Sequence, residues 1–502
     1  MDLSQLPDVS EHMVTADNPA RTDLLGMDHA RCAALHGYLV HYGWIADGRL
    51  PDGLQSNHRT YFTAYGNAAE ELRPRLDPSL AAFLDTALVL PVGAAPPTFF
   101  FWVAGISNPF FLLRTNDIAD LFDEPEDSLV CLYLPNIGEG GELGGGLFYH
   151  QPSHRAAVFM NMDEHDFALP VMAHPELWQP LETVLSNFIH LIHLGKITVS
   201  PQDAPSSAHH KIGPWEWQPY SEDQVTACVE AWDLLCDAVE ARRGVLPSPA
   251  AIAPATGTAK QEPLVPSAAL DAALLPKRCF VRDFLTRACR PAFRRIAPGL
   301  LLPPADKAEF AAAQPFTGLS RDRNAEIVPP VCLFSAARGQ PEAVFGGLAR
   351  GNPFLTDAFL PNGFAAQDGT VPSRVPAGVY SEALDRLDYE VAEEGFRLLL
   401  PYPLEGGDFL PYVLNTASTG ARTSDGSFVS PGSTAELFQH GYKPFGGDGA
   451  RPQRLERLFD HWRKLVVTGV WSVGADGVKG TIEKFKDADS TRWADYVIPW
   501  SW

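Results

Sequence analysis

The sequence predicts an α+β fold arranged as two lobes, with mixed or antiparallel sheets and packed helices. Three observations predict it. The chain of 502 residues is 45% hydrophobic and 20% charged, which is enough apolar material for a sizeable core and too little charge for a disordered chain. Its 41 glycines and 44 prolines oppose a long helical bundle, because each interrupts the hydrogen-bond ladder of a helix. Helical and strand-like apolar periods both occur, without the regular strand–helix alternation of a doubly wound sheet.

Taken in order, the apolar spacing predicts helices near Leu24–Tyr42, Leu80–Ala87, Asn108–Phe122, Pro180–Leu194, Glu222–Arg243 and Arg278–Ala288, with a last pair near the C-terminus. Strands are predicted at Thr98–Ala104, Leu129–Leu134, Leu147–Tyr149, Ala156–Asn161, Val331–Phe334 and Phe396–Leu400. The stretch Ala87–Ile106 carries no charge, but Pro91, Gly93, Pro96 and Pro97 interrupt it. It therefore predicts two buried strands around a proline turn rather than a membrane span. The opening MDLSQLPDVSEH lacks the basic and apolar regions of a secretory signal. Seven scattered cysteines without a Cys-x-x-Cys pair fit reduced thiols, and a cytoplasmic location is expected.

The Pro/Ala-rich stretch Gly244–Pro276 reads as a linker. It separates a His-rich domain, residues 1–243, which holds 13 of the 15 histidines, from a C-terminal domain, residues 277–502, that opens on a basic helix. A weak internal duplication is also expected. Leu181, Leu185, Phe188, Leu191 and Gly195 align with Leu455, Phe459, Trp462, Leu465 and Gly469, each set being an apolar helical stripe that ends on a capping glycine. Gly146–Phe148 and Ala157–Phe159 have counterparts in Gly426–Phe428 and Glu436–Phe438.

With 39 Lys and Arg against 61 Asp and Glu, the net charge is −22, which on average repels nucleic acid and anionic lipid. One segment reverses the sign. Lys277, Arg278, Arg282, Arg287, Arg290, Arg294 and Arg295 stand against Asp283 alone. Two readings are open for it: a polyanion or phosphate contact, or an internal belt of ion pairs.

Four further patterns bear on chemistry. Gly105-Ile106-Ser107-Asn108-Pro109 follows a predicted strand and opens a predicted helix. A hydroxyl there is either a helix cap or a nucleophile favoured by the helix N-terminus. The absence of a second glycine disfavours the Gly-x-Ser-x-Gly hydrolase turn. Asn116, Asp120 and Glu124 fall at i, i+4 and i+8, a row similar to the magnesium ligands of class I terpene cyclases, although a solvated acidic helix end is the simpler reading. His190 and His193, His150 and His154, and the cluster Asp163-Glu164-His165-Asp166 lack the third ligand that zinc requires, so no metal is expected. The three acids of that cluster suit a guanidinium or amine. Gly138–Gly146 holds six glycines, but Glu139 and Glu142 would repel phosphate, leaving a hairpin or loop over a site.

The segments PLETVLSNFIHLIHLGKI, GPWEWQPYSEDQV, ARTSDGSFVSPGSTAELFQHGYKPFGG and VGADGVKGTIEKFKDAD resemble large fungal proteins encoded beside biosynthetic genes, and with them the arginine-containing cyclodipeptide synthases. Gly105-Ile106-Ser107 resembles the serine signature of bacterial cyclodipeptide synthases. Tyr389-x-x-x-Glu393 has the spacing of their tyrosine and glutamate. The resemblance implies an enzyme of specialised metabolism that joins arginine to a second amino acid as a diketopiperazine. Ser107 would take an aminoacyl group from arginyl-tRNA, and Glu393 with Tyr389 would deprotonate the amine. Asn108, Asp163, Glu164 and Asp166 would hold the substrate, and the seven basic residues the tRNA backbone; neither ATP, metal nor another cofactor would be needed. The order of hairpin, glycine-rich loop, strand and Gly-ended helix also resembles SUKH-type interaction domains, which bind partners without catalysis.

Overall fold

The computed structural model describes residues 5–56, 59–89, 99–136, 144–200, 211–244, 262–316, 327–337, 342–344, 354, 374–386, 390–406, 419–447 and 451–502. The fold is α+β, with helices and mainly antiparallel sheets. The chain forms two compact units. One comprises Met1–Gln218, Tyr442–Gly449 and Ser501–Trp502, and the other Pro219–Gly441 and Ala450–Trp500.

The first unit is built on a four-stranded antiparallel sheet in sequence order: β1 (Val103–Ile106), β2 (Leu129–Pro135), β3 (Gly146–His150) and β4 (Arg155–Phe159). Every residue of β3 is buried, so the sheet is covered on both faces. Gly146, at φ 130°, begins β3 where a Cβ would lie 2.5 Å from Tyr133 O, so only glycine fits this close approach. The segment that returns to this unit adds to the open edge of β4, where Val158 N donates to Pro444 O at 2.9 Å. A smaller antiparallel sheet joins β5 (Ile197–Val199), β6 (Lys211–Ile212) and β7 (Trp215–Trp217), with β7 in the centre.

The helix Leu181–His193 buries Leu181, Val184, Leu185, Phe188, Ile189 and Ile192 at helical spacing and packs on the helix His29–Ala46. Its Phe188 ring stacks on Phe100 at 4.3 Å. It ends where Gly195 takes φ 69° and donates its N–H to Ile192 O at 3.0 Å. Two expectations differ here. The single helix over Asn108–Phe122 is two short helices, Pro109–Leu112 and Asn116–Leu121. Buried Thr115 sits at the break, and its hydroxyl donates to Leu129 O on β2 at 2.5 Å. The strand expected at Thr98–Ala104 begins only at Val103, because Phe99 N and Phe100 N fold back onto Ala104 O and Val103 O at 2.9 Å each. Residues 90–98, the centre of the uncharged stretch, and 137–143, most of the glycine-rich loop, lie outside the described residues.

In the second unit β8 (Arg295–Ala297), β9 (Leu300–Leu301), β11 (Cys332–Ala336), β14 (Gly378–Ser381), β16 (Phe396–Leu399), β17 (Val473–Gly474) and β18 (Gly477–Val478) form one sheet in the order β16-β14-β11-β9-β8-β18-β17. Only the β18–β8 pair is parallel. Two short ladders accompany it, β10 (Ile327–Val328) with β15 (Leu384–Asp385) and β12 (Glu342–Val344) with β13 (Arg374–Pro376). The helices Glu222–Glu240 and Leu455–Val467 pack together over this core. Trp232 stacks on Phe334 with centroids 5.5 Å apart.

The unit boundary by packing falls at Gln218–Pro219, not at Gly244. The helix Glu222–Glu240 contributes Val225, Trp232, Leu235 and Val239 to the second core. The C-terminal part of the expected linker is also structural. Leu264 and Val265 are buried and donate to Ala288 O and Leu285 O at 2.7 and 3.0 Å, ahead of the helix Ser267–Ala272. Residues 245–261 lie outside the described residues. The two aligned helices share no more than the way they end. Gly469, at φ 78°, ends the helix Leu455–Val467 as Gly195 ends Leu181–His193. Gly426–Phe428 and Glu436–Phe438, however, are not paired strands like their counterparts in β3 and β4. Among the described residues no helix is long and apolar enough to cross a membrane.

Candidate functional site

Ser107 lies at the corner where β1 leaves the sheet, and its N–H donates to Leu132 O at 2.9 Å. The residue is 0% exposed. Its hydroxyl donates to Cys131 Sγ at 3.7 Å, and that thiol donates on to Tyr133 O at 3.7 Å. Burial pushes the Cys131 thiol up to about 12, so the sulfur stays protonated and is no base for the hydroxyl. The helix cap is Asn108 rather than Ser107. Its Oδ1 accepts from Phe110 N and Phe111 N at 3.0 and 3.3 Å, which commits the oxygen of a side chain expected to hold substrate to capping.

The acidic cluster divides. Glu164 Oε2 accepts from Met160 N at 2.7 Å, whereas Asp163 and Asp166 are exposed. His165 between them is a core residue, edge-on to Phe159 at 4.6 Å and Phe148 at 5.3 Å. Burial lowers it to about 4. The Asn116/Asp120/Glu124 row does not share one helical face, because the helix ends at Leu121. Asn116 Oδ1 instead accepts from Asp127 N at 3.1 Å, and Asp120 is exposed. Glu124 turns inward, its Oε2 3.2 Å from His150 Nε2 and its Oε1 accepting from Val171 N at 2.6 Å. Burial alone would raise this carboxyl, but those two hydrogen bonds and the His150 charge bring it below its ordinary value. His193 reaches Tyr38 Oη at 3.1 Å and His154 reaches Tyr149 Oη at 3.3 Å. Among the described residues no three His, Cys, Asp or Glu side chains gather so as to hold a metal ion.

In the second unit Glu393 is 2% exposed and already has two partners. Its Oε1 accepts from Arg386 Nε at 2.6 Å and its Oε2 from Phe280 N at 3.0 Å. It therefore neutralises one orphan amide at the start of the helix Phe280–Arg287, where a carboxylate is favoured by the helix dipole. Its neighbour Glu394 accepts from Gln224 Nε2 at 2.8 Å, and the Glu394 carbonyl accepts from Leu455 N at 2.8 Å. This acidic run is a node tying three helices together. Tyr389 lies outside the described residues.

The basic segment is largely occupied by internal partners. Lys277 and Arg282 share Asp271 Oδ1 at 2.6 and 2.8 Å. Arg282, its side chain 9% exposed, also donates to Pro276 O and Leu275 O at 2.7 and 3.0 Å. Both terminal nitrogens of Arg287 bond Glu222, Arg290 donates to Leu264 O and Pro303 O, and Arg295 lies 3.5 Å from Asp476. Arg278 and Arg294 are exposed. Of the two readings open for this segment, the geometry favours the ion-pair belt: four of the seven cations pair with carboxylates, and Arg290 is held by backbone carbonyls.

The sequence reading missed the partners of these groups: Cys131, Asp271, Glu222 and Arg386. Glu222 carried a signal, as an acid in the first turn of a predicted helix; Asp271 and Arg386 lie within eleven residues of the groups they bind, and Cys131 is brought to Ser107 across the sheet. The chain matches no known family model, no curated protein and no solved structure.

Proposed function

We propose that this chain acts by binding rather than by covalent catalysis, as an interaction module of the kind its SUKH-like element order suggests. The observation that carries the reading is the Ser107 hydroxyl, with 0% exposure and a neutral thiol as its side-chain partner. A nucleophile needs an approach for the acyl donor and a base to take its proton. The occupied Glu393 carboxylate and the internally paired basic segment support the same reading. The first unit also displays Phe110, Leu121, Met162 and Met172 at 63–75% exposure, side chains suited to an adaptable protein contact.

The aminoacyl-tRNA-dependent cyclodipeptide synthase is the competing reading, and the buried hydroxyl counts against it. A direct test incubates the purified protein with arginyl-tRNA and a second aminoacyl-tRNA while measuring absorbance ratio and tRNA gel shift over a salt series. The binding reading expects no diketopiperazine, no salt-sensitive shift and stable protein complexes free of nucleic acid. Dipeptide formation that is lost in Ser107→Ala would overturn it in favour of the synthase.

A further inference from the structure

In the first unit β3 and β4 are joined by the loop Gln151–His154, and at this loop Ser153, His150 and Glu124 form a row. Ser153, half-buried, places Oγ 2.7 Å from His150 Nδ1. The far side of the ring, Nε2, lies 3.2 Å from Glu124 Oε2. Glu124 is fixed in turn by Val171 N, which donates to Oε1 at 2.6 Å. His150 is 1% and Glu124 8% exposed, so the ring and the carboxylate are sealed behind a serine that solvent reaches.

The hydrogen bonds decide where the protons stand. Ser153 N also donates to Nδ1, at 3.3 Å, and an amide N–H can only donate. Nδ1 is therefore the lone-pair nitrogen, Nε2 carries the ring proton and donates it to Glu124, and the Ser153 hydroxyl donates to Nδ1. A hydroxyl aimed at a base that a carboxylate orients is how serine becomes a nucleophile, here with the two ring nitrogens exchanged relative to the usual triad. A short hairpin loop closes without such a pair, and burying a carboxylate against an imidazole costs desolvation energy. The neighbours of the serine, Pro152 and His154, line an open cleft of about 380 Å³, which leaves room for a small acyl donor. Ser107 has neither the base nor the opening.

We propose that Ser153 is an activated nucleophile and a modification site, which takes an acyl group from a small uncharged carboxylic ester. In that step Oγ attacks the ester carbonyl carbon while its proton passes to His150 Nδ1. The Oγ–C bond forms, the bond from that carbon to the alkoxy oxygen breaks, and the proton leaves on the released alcohol. His150 is the base, and Glu124 is the positioning residue whose carboxylate stabilises the imidazolium. A tRNA ester is the wrong donor, because a polyanion is repelled by a net charge of −22. One acylation per chain is not turnover. The inference therefore goes beyond the interaction reading, which rests on Ser107, and stands or falls separately from it.

The test exposes the full chain to p-nitrophenyl acetate and follows acetylation of each serine by peptide mass spectrometry. Ser153 should be acetylated about a hundredfold faster in the folded chain than in the same chain unfolded in urea, the lower end of what a positioned base supplies. His150→Gln should lose about that factor, and Ser107→Ala should leave the rate at Ser153 unchanged. Nitrogen NMR should show His150 protonated at Nε2, and Glu124→Gln should mix the two tautomers and slow acetylation. Equal rates at Ser153 in the folded and unfolded chain, a ring proton on Nδ1, or acetylation of Ser153 untouched by His150→Gln would each overturn the proposal.

Discussion

Glu393→Ala separates a structural carboxylate from a catalytic one. The substitution deletes an acceptor whose side chain is 1% exposed and which serves Arg386 Nε at 2.6 Å and Phe280 N at 3.0 Å. Breaking a buried ion pair from one side costs about 3–5 kcal/mol. Arg386 sits near the lower bound, because its side chain is 18% exposed and Nη2 keeps its bond to Arg278 O at 2.7 Å. The amide of Phe280 becomes an orphan, a loss of about 1–3 kcal/mol on its own. These losses overlap, and about 3 kcal/mol is the expected total. Glu393→Gln retains one carbonyl oxygen for one of the two donors and should cost about half as much. Because the chain has two units, native-state hydrogen exchange on the helix Phe280–Arg287 is a better assay than a single unfolding midpoint. Glu393→Ala should raise its opening constant by about two orders of magnitude, with Glu393→Gln in between. The reasoning is refuted if exchange in that helix is unchanged in both variants.

Other outcomes follow from the same geometry. Glu124→Ala should destabilise the first unit by about 3 kcal/mol, since it leaves Val171 N and buried His150 without their partner. Asp120→Ala, at an exposed position of the same acidic row, should stay within about 0.5 kcal/mol; equal effects in chemical denaturation would argue for a shared metal face instead. Burial holds His36, His165 and His461 near 4, below their ordinary 6.5. The unfolded chain then binds protons that the folded one refuses, so stability is full above about pH 6.5 and falls as pH drops toward 4. Each histidine contributes about 3 kcal/mol to that loss, and His165→Met should flatten the acid limb of a pH–stability curve by that amount. Arg282→Ala should cost about 3 kcal/mol through its lost carbonyl bonds and its buried position, whereas Arg287→Ala, an exposed pair, should cost less than about 1 kcal/mol. A salt-dependent loss of tRNA binding in Arg287→Ala without loss of stability would contradict the ion-pair belt.

The fold class was legible because apolar spacing reports burial locally. Leu181–His193, Glu222–Glu240 and Leu455–Val467 each carry a buried stripe that sequence alone displays. What was not legible depended on partners far along the chain. Thr115 breaks a helix because Leu129 O is within reach, and the Gly244–Pro276 stretch reads as linker although Leu264 and Val265 have carbonyl partners near Ala288. The same holds for the candidate residues. Spacing marked Ser107, Glu124 and Glu393 as unusual, and each does sit at a constrained place. Whether such a group is open or already satisfied depends on Cys131, His150 and Arg386, which no local pattern ties to them. Glu393 and the basic segment, separate parts of one active site by sequence, meet in the second unit as a carboxylate at the start of the helix that carries Arg282 and Arg287.

The most direct test of the central claim is intact-protein mass spectrometry after brief exposure to arginyl-tRNA and acid quench. The account predicts an unmodified chain in both the parent and Ser107→Ala. An arginyl ester on Ser107 in the parent, absent from the variant, would contradict it.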